Sequence, residues 1–365
     1  MKFLYRASSL LLALCLPVVA AQVQAVRSDT VGKVLETPAM AVPQLESAVF
    51  IELARAGDRL VAVGERGLIA LSDDQGESWR QASVPVSVSL TAVQFIDADH
   101  GWAVGHGGVV LATQDGGEHW QVRLTGIEAA RLELDAARAA QPGATDTRAA
   151  DLRVQLAERL LAEGPDKPFL ALHFSDAGHG LVVGAFGLAF RTEDGGHSWR
   201  SAVGQIENPY GMHIYAIARE GHTWYLGGEQ GFLARADNGR DFRQLESPYE
   251  GTYFTLQARA GGGLLLAGMK GHAFVSSDRG ESFAPLASRA GASFSDSIAL
   301  PGGDALLSNQ AGMLFRLTAA GHLAPFAQPL RRPVSGLTQA PDGGLVFAGF
   351  TGLFRLAPND ITASE

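Results

Sequence analysis

Groups able to do chemistry are concentrated in five short acidic turns. They centre on Asp74, Asp115, Asp194, Asp237 and Asp278, and each is closed by an aromatic residue: Trp79, Trp120, Trp199, Phe242 and Phe283. An aspartate just ahead of a glycine accepts N–H bonds from its own turn, while the glycine supplies a positive φ. One turn repeated five times is a building device, so these aspartates and tryptophans are assigned to structure and none to catalysis. Among the histidines, His106, His213 and His222 lack ligand spacing such as H-E-x-x-H. No metal, cofactor or catalytic residue is expected. The single cysteine, Cys15, leaves no disulfide or thiolate chemistry downstream of it.

The elements that carry these turns repeat as well. A glycine hairpin recurs as G-E-R-G, G-H-G-G, G-A-F-G, G-E-Q-G, G-M-K-G, N-Q-A-G and G-F-T-G, with its second glycine at Gly67, Gly108, Gly187, Gly231, Gly271, Gly312 and Gly352. The steps are 41, 79, 44, 40, 41 and 40 residues, so one step contains a repeat plus about 38 residues more. In the second unit, Ala92 to Ile96, Gly101 to Val104, Val109 to Ala112 and His119 to Arg123 read as strands A to D. Four strands in about 40 residues are the mark of a propeller blade. The expected fold is all-β: a seven-bladed β-propeller over residues 45–365. The sixth unit has lost the acidic turn (Ala320-Gly321), and the seventh stops after its third strand near Leu356. An open sheet edge invites aggregation. Val31 to Thr37 is therefore expected to supply the missing outer strand, making 22–44 a segment that closes the last blade.

The long step is filled by residues 127–164. Two helical stretches, Ile127 to Ala140 and Asp146 to Glu163, flank Pro142-Gly143, with Thr145 or Asp146 as a cap and Gly164-Pro165 as a stop. Leu152, Leu156 and Leu160 form an apolar stripe at spacing four. A helical hairpin between blades two and three is expected.

The chain has 365 residues, 46% of them apolar, 18% charged and 44 of them glycine, which suits many short strands and tight turns. Residues 1–21 read as a secretory signal: Lys2 and Arg6, an apolar run from Leu10 to Val19, and a small-residue cleavage site. Losing them moves the net charge from -9 to -11, because two of the 29 basic residues leave while the 38 acids stay. Nucleic acid is thereby an unsuitable partner. The expectation is a periplasmic or secreted monomer without a membrane span.

In a propeller the B–C and D–A connections share one face, and the acidic C–D turns lie on the other. Loops on a rigid scaffold carry binding. The candidate partner-binding face therefore comprises Arg66, His106, Phe186, Gln230 and Lys270 from the hairpins. The D–A loops add Tyr210, Met212, His213, Tyr249, Tyr253, Arg331 and Arg332. Tyrosine, methionine and arginine are types enriched where proteins meet.

The combination G-x-x-G, an apolar strand and [ST]-x-D-x-G-x-[SHT]-[WF] is the Asp-box or BNR-type repeat. It is clearest in FIDADHGWAVGHGGVVLATQDGGEHW (Phe95 to Trp120) and FSDAGHGLVVGAFGLAFRTEDGGHSW (Phe174 to Trp199). With seven units and a signal, the chain resembles the photosystem II stability/assembly factor family of exported propellers. The resemblance implies a non-catalytic scaffold that holds a membrane protein complex, and for relatives in non-photosynthetic bacteria an RND-type transporter. Two other readings compete. A sialidase-like or other glycoside hydrolase needs two facing carboxylates. Glu65 and Glu229, from blades one and four, do not offer them, and an early R-I-P motif is absent. A glycan or small-ligand binding module using the central channel is the third.

Overall fold

In the computed structural model, which describes residues 33–362, the strands form seven antiparallel sheets, six of four strands and one of three. In each sheet the strands pair in chain order, so every unit is a meander. The first strands of the sheets are Phe50–Ala56, Leu90–Phe95, Phe169–Phe174, Ile214–Glu220, Tyr253–Arg259, Phe294–Ala299 and Gly336–Gln339. Each packs beside the next, and the last returns to the first, which closes a ring of seven blades around an axis. The second and third strands, such as Val61–Val63 with Ile69–Leu71, are almost fully buried. Sheets stacked face to face on both sides bury both faces of a strand. This explains why runs such as Leu264-Leu265-Leu266 lack the alternation of a half-exposed strand.

The outer strand expected from Val31 to Thr37 is not formed. The seventh sheet keeps three strands, and Lys33 to Thr37 makes a turn of helix instead, Val31 and Gly32 lying outside the described residues. The Ser87 N–H donates to Val34 O (2.8 Å), and Val34 and Leu35 pack on the core between blades one and two. Ring closure rests on other contacts. Leu45 packs with Ala348 and Leu353 of the seventh blade, and the Ser335 hydroxyl donates to Phe50 O (3.0 Å). Arg355 donates to Gln75 O (2.5 Å) and pairs with Glu77 (3.0 Å), joining the seventh blade to the first.

That last contact belongs to a series. Arg59 Nη1 donates to Gly116 O, Trp102 Nε1 to Gly195 O, Arg191 Nη2 to Arg240 O, Arg235 Nη1 to Arg279 O and Arg259 Nη2 to Thr318 O. Six of the seven blades thus reach forward to a backbone carbonyl in the C–D turn of the next. The turns satisfy buried backbone groups and tie the ring together.

Two helices, Gly126–Ala140 and Thr147–Glu163, lie between the second and third sheets. Thr125 and Glu128 form a capping box on the first, and Asp146 accepts from Ala149 N–H on the second. Of the stripe read on the second helix, Leu152 and Leu156 face outward, 50% and 57% exposed, while Leu160 packs on the core between blades two and three. The buried seam runs instead through Val154, Ala157 and Leu161, packed against Leu134 and Ala137. Spacing marks a helix face but not which of two faces the neighbour covers. Glu133, buried on the first helix, receives a bidentate pair from Arg153 (2.8 and 3.0 Å) and the Ser201 hydroxyl of blade three. This network pins the helical hairpin to the rim of blade three.

Candidate functional site

The backbone itself shows which loops share a face. The first N–H of six hairpins donates to the carbonyl just before its blade's innermost strand: Glu65 to Val49, His106 to Ser89, Ala185 to Pro168, Glu229 to His213, Met269 to Thr252 and Gln310 to Ser293. Hairpins and D–A loops therefore stand together at one end of the axis. Arg66, Phe186, Gln230 and Lys270 occupy the third position of their hairpins with φ of 54, 56, 51 and 55°. For residues with a Cβ this left-handed region costs roughly 1–2 kcal/mol. Four such residues held by one motif are a strained but regular way to project side chains outward, and such strain clusters at binding sites. All four are exposed, as is His106.

On blades three to five the projecting side chains form a connected aromatic crest. The Phe186 ring, 56% exposed, lies 4.8 Å from His213 and 5.4 Å from Lys167 Nζ. The Glu229 carboxylate accepts from the His213 backbone N–H (2.7 Å) and lies 2.6 Å from its Nδ1, which fixes the ring. His213 continues to Tyr215 at 6.3 Å, and Tyr215 to Phe254 at 5.5 Å. Burial and the Glu229 charge raise the Tyr215 phenol above its ordinary range, keeping it a neutral donor. Tyr210, 81% exposed, stands beside the crest on the same loop.

Tyr215 and Phe254 owe their position to a recurring irregularity. In six blades the register of the innermost strand slips after its first residue, and the extra residue is Ile51, Thr91, Leu170, Tyr215, Phe254 or Ser295. A bulge re-aims side chains. These two aromatics, with Lys167, extend the site beyond the residues picked from sequence.

Of the other expected face residues, Arg66, Lys270, Arg331 and Arg332 are exposed and, among the described residues, make no ion pair. Met212 packs partly under the loop, and Tyr249 stacks on His272 at 4.3 Å. Tyr253 does not belong to the face. It is fully buried, its hydroxyl 2.8 Å from the Ser247 hydroxyl and its phenol pushed up to about 12 by burial. It is the first residue of its strand, the position that Phe50, Phe169 and Phe294 fill in other blades, where the side chain enters the space between sheets.

Further along the axis sit two carboxyls that sequence reading missed. Glu52 follows the bulge in blade one and Asp296 follows it in blade six, so the same register position flanks blade seven from both sides. Asp296 accepts from the Leu337 and Ser297 N–H groups (2.9 and 2.7 Å), and Glu52 from Leu53 N–H (2.9 Å). Burial drives the Asp296 carboxyl up to about 6. Burial, then the Asp296 charge, drives Glu52 well above the usual range. Among the described residues neither has a basic partner.

The opposite face carries the acidic turns. Asp74 accepts from the Ser72 hydroxyl (2.8 Å), Ser78 N–H (2.9 Å) and the Ser78 hydroxyl (2.5 Å). The same set surrounds Asp194 and Asp278, and His119 replaces the serine at Asp115. These bonds hold Asp74, Asp194 and Asp278 down at about 2. Trp120 and Trp199 close their turns by donating to Gly117 O and Gly196 O, and Trp79 packs on the core between blades one and seven. Asp237 departs from the expected role. Its turn is one residue shorter, it pairs with Arg235 (3.1 Å), and the Asn238 amide oxygen accepts the turn's N–H groups from Arg240 and Asp241. Among the described residues no group of three His, Cys, Asp or Glu could hold a metal ion. No described helix is long and apolar enough to cross a membrane.

Comparison with known proteins adds to this geometry. The family model described as Photosynthesis system II assembly factor YCF48 matches residues 28–137. The chain is 30% identical over 117 residues to the photosystem II assembly lipoprotein Ycf48 of Synechococcus sp. (strain CC9902). Over that stretch the chain is similar to photosystem II assembly factors. The match to the curated relative spans 31% of this chain and 35% of that protein. Among solved structures, YCF48 bound to D1 peptide superposes with TM-score 0.61 at 14% identity, covering 87% of this chain and 98% of that one. A catalytically inactive virginiamycin B lyase from Staphylococcus aureus with quinupristin superposes with TM-score 0.64 at 12% identity, covering 87% and 97%. At such identities the structural likeness establishes the propeller fold, which serves binding and catalysis alike.

Proposed function

We propose that this chain is a non-catalytic scaffold, exported to the periplasm, that holds a membrane protein or membrane complex through its hairpin face. The observation that carries the reading is the crest of Phe186, His213, Tyr215 and Phe254, with Tyr210 beside it, on a rigid ring. Phe186 and Tyr210 are exposed and the other three rings half-buried, and aromatics with few rotatable bonds make binding anchors at low entropic cost. The likeness to a propeller described with a bound D1 peptide supports the same use of the fold. An RND-type transporter is the partner suggested by the family resemblance. The helical hairpin with its exposed Leu152 and Leu156 offers further apolar contact area at the rim of blade three.

The test is crosslinking capture from membranes of the native host with the intact protein, a Phe186→Ala/Tyr210→Ala variant, and a variant lacking residues 127–164. Capture of one membrane protein by the intact chain, lost with the aromatic variant while the ring stays folded, is the expected result. Undiminished capture by both variants would place the interface elsewhere. One observation favours hydrolysis as the second reading: Glu52 and Asp296 are paired carboxyls held toward protonation, as acid catalysis requires. Turnover of a glycoside panel at mildly acidic pH, abolished by Glu52→Gln, would establish it.

A further inference from the structure

At three junctions between blades the forward-reaching contacts follow a charge rule. In blade four, Arg235 on the third strand and Arg243 on the fourth both reach Glu281 of blade five, at 2.8 and 2.6 Å. Across the ring closure, Arg355 of blade seven reaches Glu77 of blade one at 3.0 Å. Between blades one and two, Arg80 reaches Glu118 at 2.6 Å and Arg59 joins it at 2.9 Å. Glu77, Glu118 and Glu281 hold one position, two residues before the closing aromatic of their turns. At each of these three junctions one carboxylate thus serves the arginines of the preceding blade.

Between blades three and four the arginines are present and the carboxylate is not. Arg191 pairs with Arg200 across the sheet as Arg235 pairs with Arg243, so these are the corresponding residues. The position that should hold their glutamate is Arg240. Arg240 turns back to Glu193 of blade three at 2.9 Å. Arg191 makes one weak bond to Arg240 O at 3.5 Å and no ion pair among the described residues; its Nε, like those of Arg235 and Arg355, is buried with no partner. The Trp224 and Phe242 rings flank it at 5.9 and 5.7 Å. Arg200 makes no ion pair among the described residues. A largely desolvated guanidinium without a carboxylate is costly. Burial, reinforced by Arg240, accordingly pulls Arg191 down to about 10.

The missing carboxylate leaves space. Arg191, Arg200 and Arg240 line a cavity of about 90 Å³ with Glu193, Ser198, Ser201 and Gln205. Since a water needs about 10–15 Å³ of such volume, it has room for several waters or one small anion. The Ser198 and Ser201 hydroxyls already donate to Asp194 and Glu133, which leaves the guanidinium N–H groups and the Gln205 amide as the cavity's donors, while Glu193 is held by Arg240.

We propose that this junction is a binding site for a small oxyanion, which takes the place that a glutamate side chain fills at those three junctions. The fork of N–H groups on a guanidinium matches carboxylate and phosphate oxygens alike. The group bound is either free phosphate or a carboxylate of carboxylic-acid type. The site lies on the turn face, away from the aromatic crest. Its wall includes Ser201, which also holds Glu133 of the helical hairpin, so occupancy would steady the attachment of the hairpin to blade three.

Thermal unfolding of the full chain, titrated with sodium phosphate or sodium acetate at constant ionic strength set by chloride, tests this. A saturable rise in Tm is expected with at least one anion. Arg200→Gln, a substitution at an exposed position, should weaken the response at least tenfold. Arg240→Glu restores the carboxylate, so it should raise Tm without added anion and erase the response. Saturation at lower phosphate than acetate assigns a phosphate group, and the reverse a carboxylate; either upholds the site. An equal, unsaturating rise in all three proteins, or an Arg240→Glu variant less stable than the parent that still responds, would overturn it.

Discussion

The carboxyl pair on the axis makes a quantitative prediction through Asp296→Asn. The Asp296 carboxyl moves from 3.8 in the unfolded chain to about 6 in the fold because burial disfavours its charge. A raised acid binds its proton more tightly when folded, so stability is full below pH 4, falls between pH 4 and pH 6, and stays low above. At about 1.4 kcal/mol per unit, two units correspond to roughly 3 kcal/mol, an upper figure because the Asp296 residue is only half-buried. Asparagine removes the charge, but only one of its atoms can accept, so one of the bonds from Leu337 and Ser297 is lost at about 1 kcal/mol. The variant should therefore be less stable than the parent by about 1 kcal/mol at pH 4 and more stable by about 1–2 kcal/mol at pH 7.5. Urea unfolding at half-unit pH steps gives both curves, and they should cross between pH 4 and pH 6. A stability difference that does not change with pH would refute the assignment of a buried, charge-penalised Asp296.

Three further outcomes follow from particular contacts. Gln230→Gly and Lys270→Gly should each stabilise the ring by about 0.5–1 kcal/mol in urea unfolding, since glycine accepts the left-handed conformation without a Cβ penalty. Glu133→Ala leaves Arg153 without its partner and should cost about 2–4 kcal/mol. Limited proteolysis should then cut near Pro142 before the ring is attacked. Asp194→Ala should lower stability at pH 7 and lose its effect near pH 2. A carboxyl lowered from 3.8 to about 2 contributes fully above pH 4, and that contribution disappears as pH falls through 2. Parallel acid-unfolding curves for parent and variant would contradict this.

The repeat was legible because the turn chemistry of a blade is local. Ser72, Asp74, Gly76 and Trp79 act on one another within eight residues, so their spacing carries the geometry. The closure of the ring was not legible. Val34 and Leu35 look like strand residues, yet the core between blades one and two offers them more burial than a lone edge would. The stripe at Leu152 and Leu156 shows the same limit, since the helix buries its Val154–Ala157 side. On the crest, Phe186 and His213 could be found from the hairpin and loop that hold them. Tyr215 and Phe254 could not, because a bulge after the first residue of the strand sets their direction. Tyr253 was misplaced for the same reason: one residue of register separates the space between sheets from the mouth of the axis.

What the sequence by itself determined is the unit: a hairpin, three or four short strands and a turn, each stabilised by bonds that span only a few residues. Seven such units bury their apolar strands only by stacking, which makes the ring follow from the count. What only the tertiary structure decided are the relations between units. Glu52 and Asp296 are 244 positions apart and flank one strand, and Arg191 and Arg200 lack a carboxylate that nothing in their own blade would have supplied. Charges interact through distance in space, and the ring alone sets that distance.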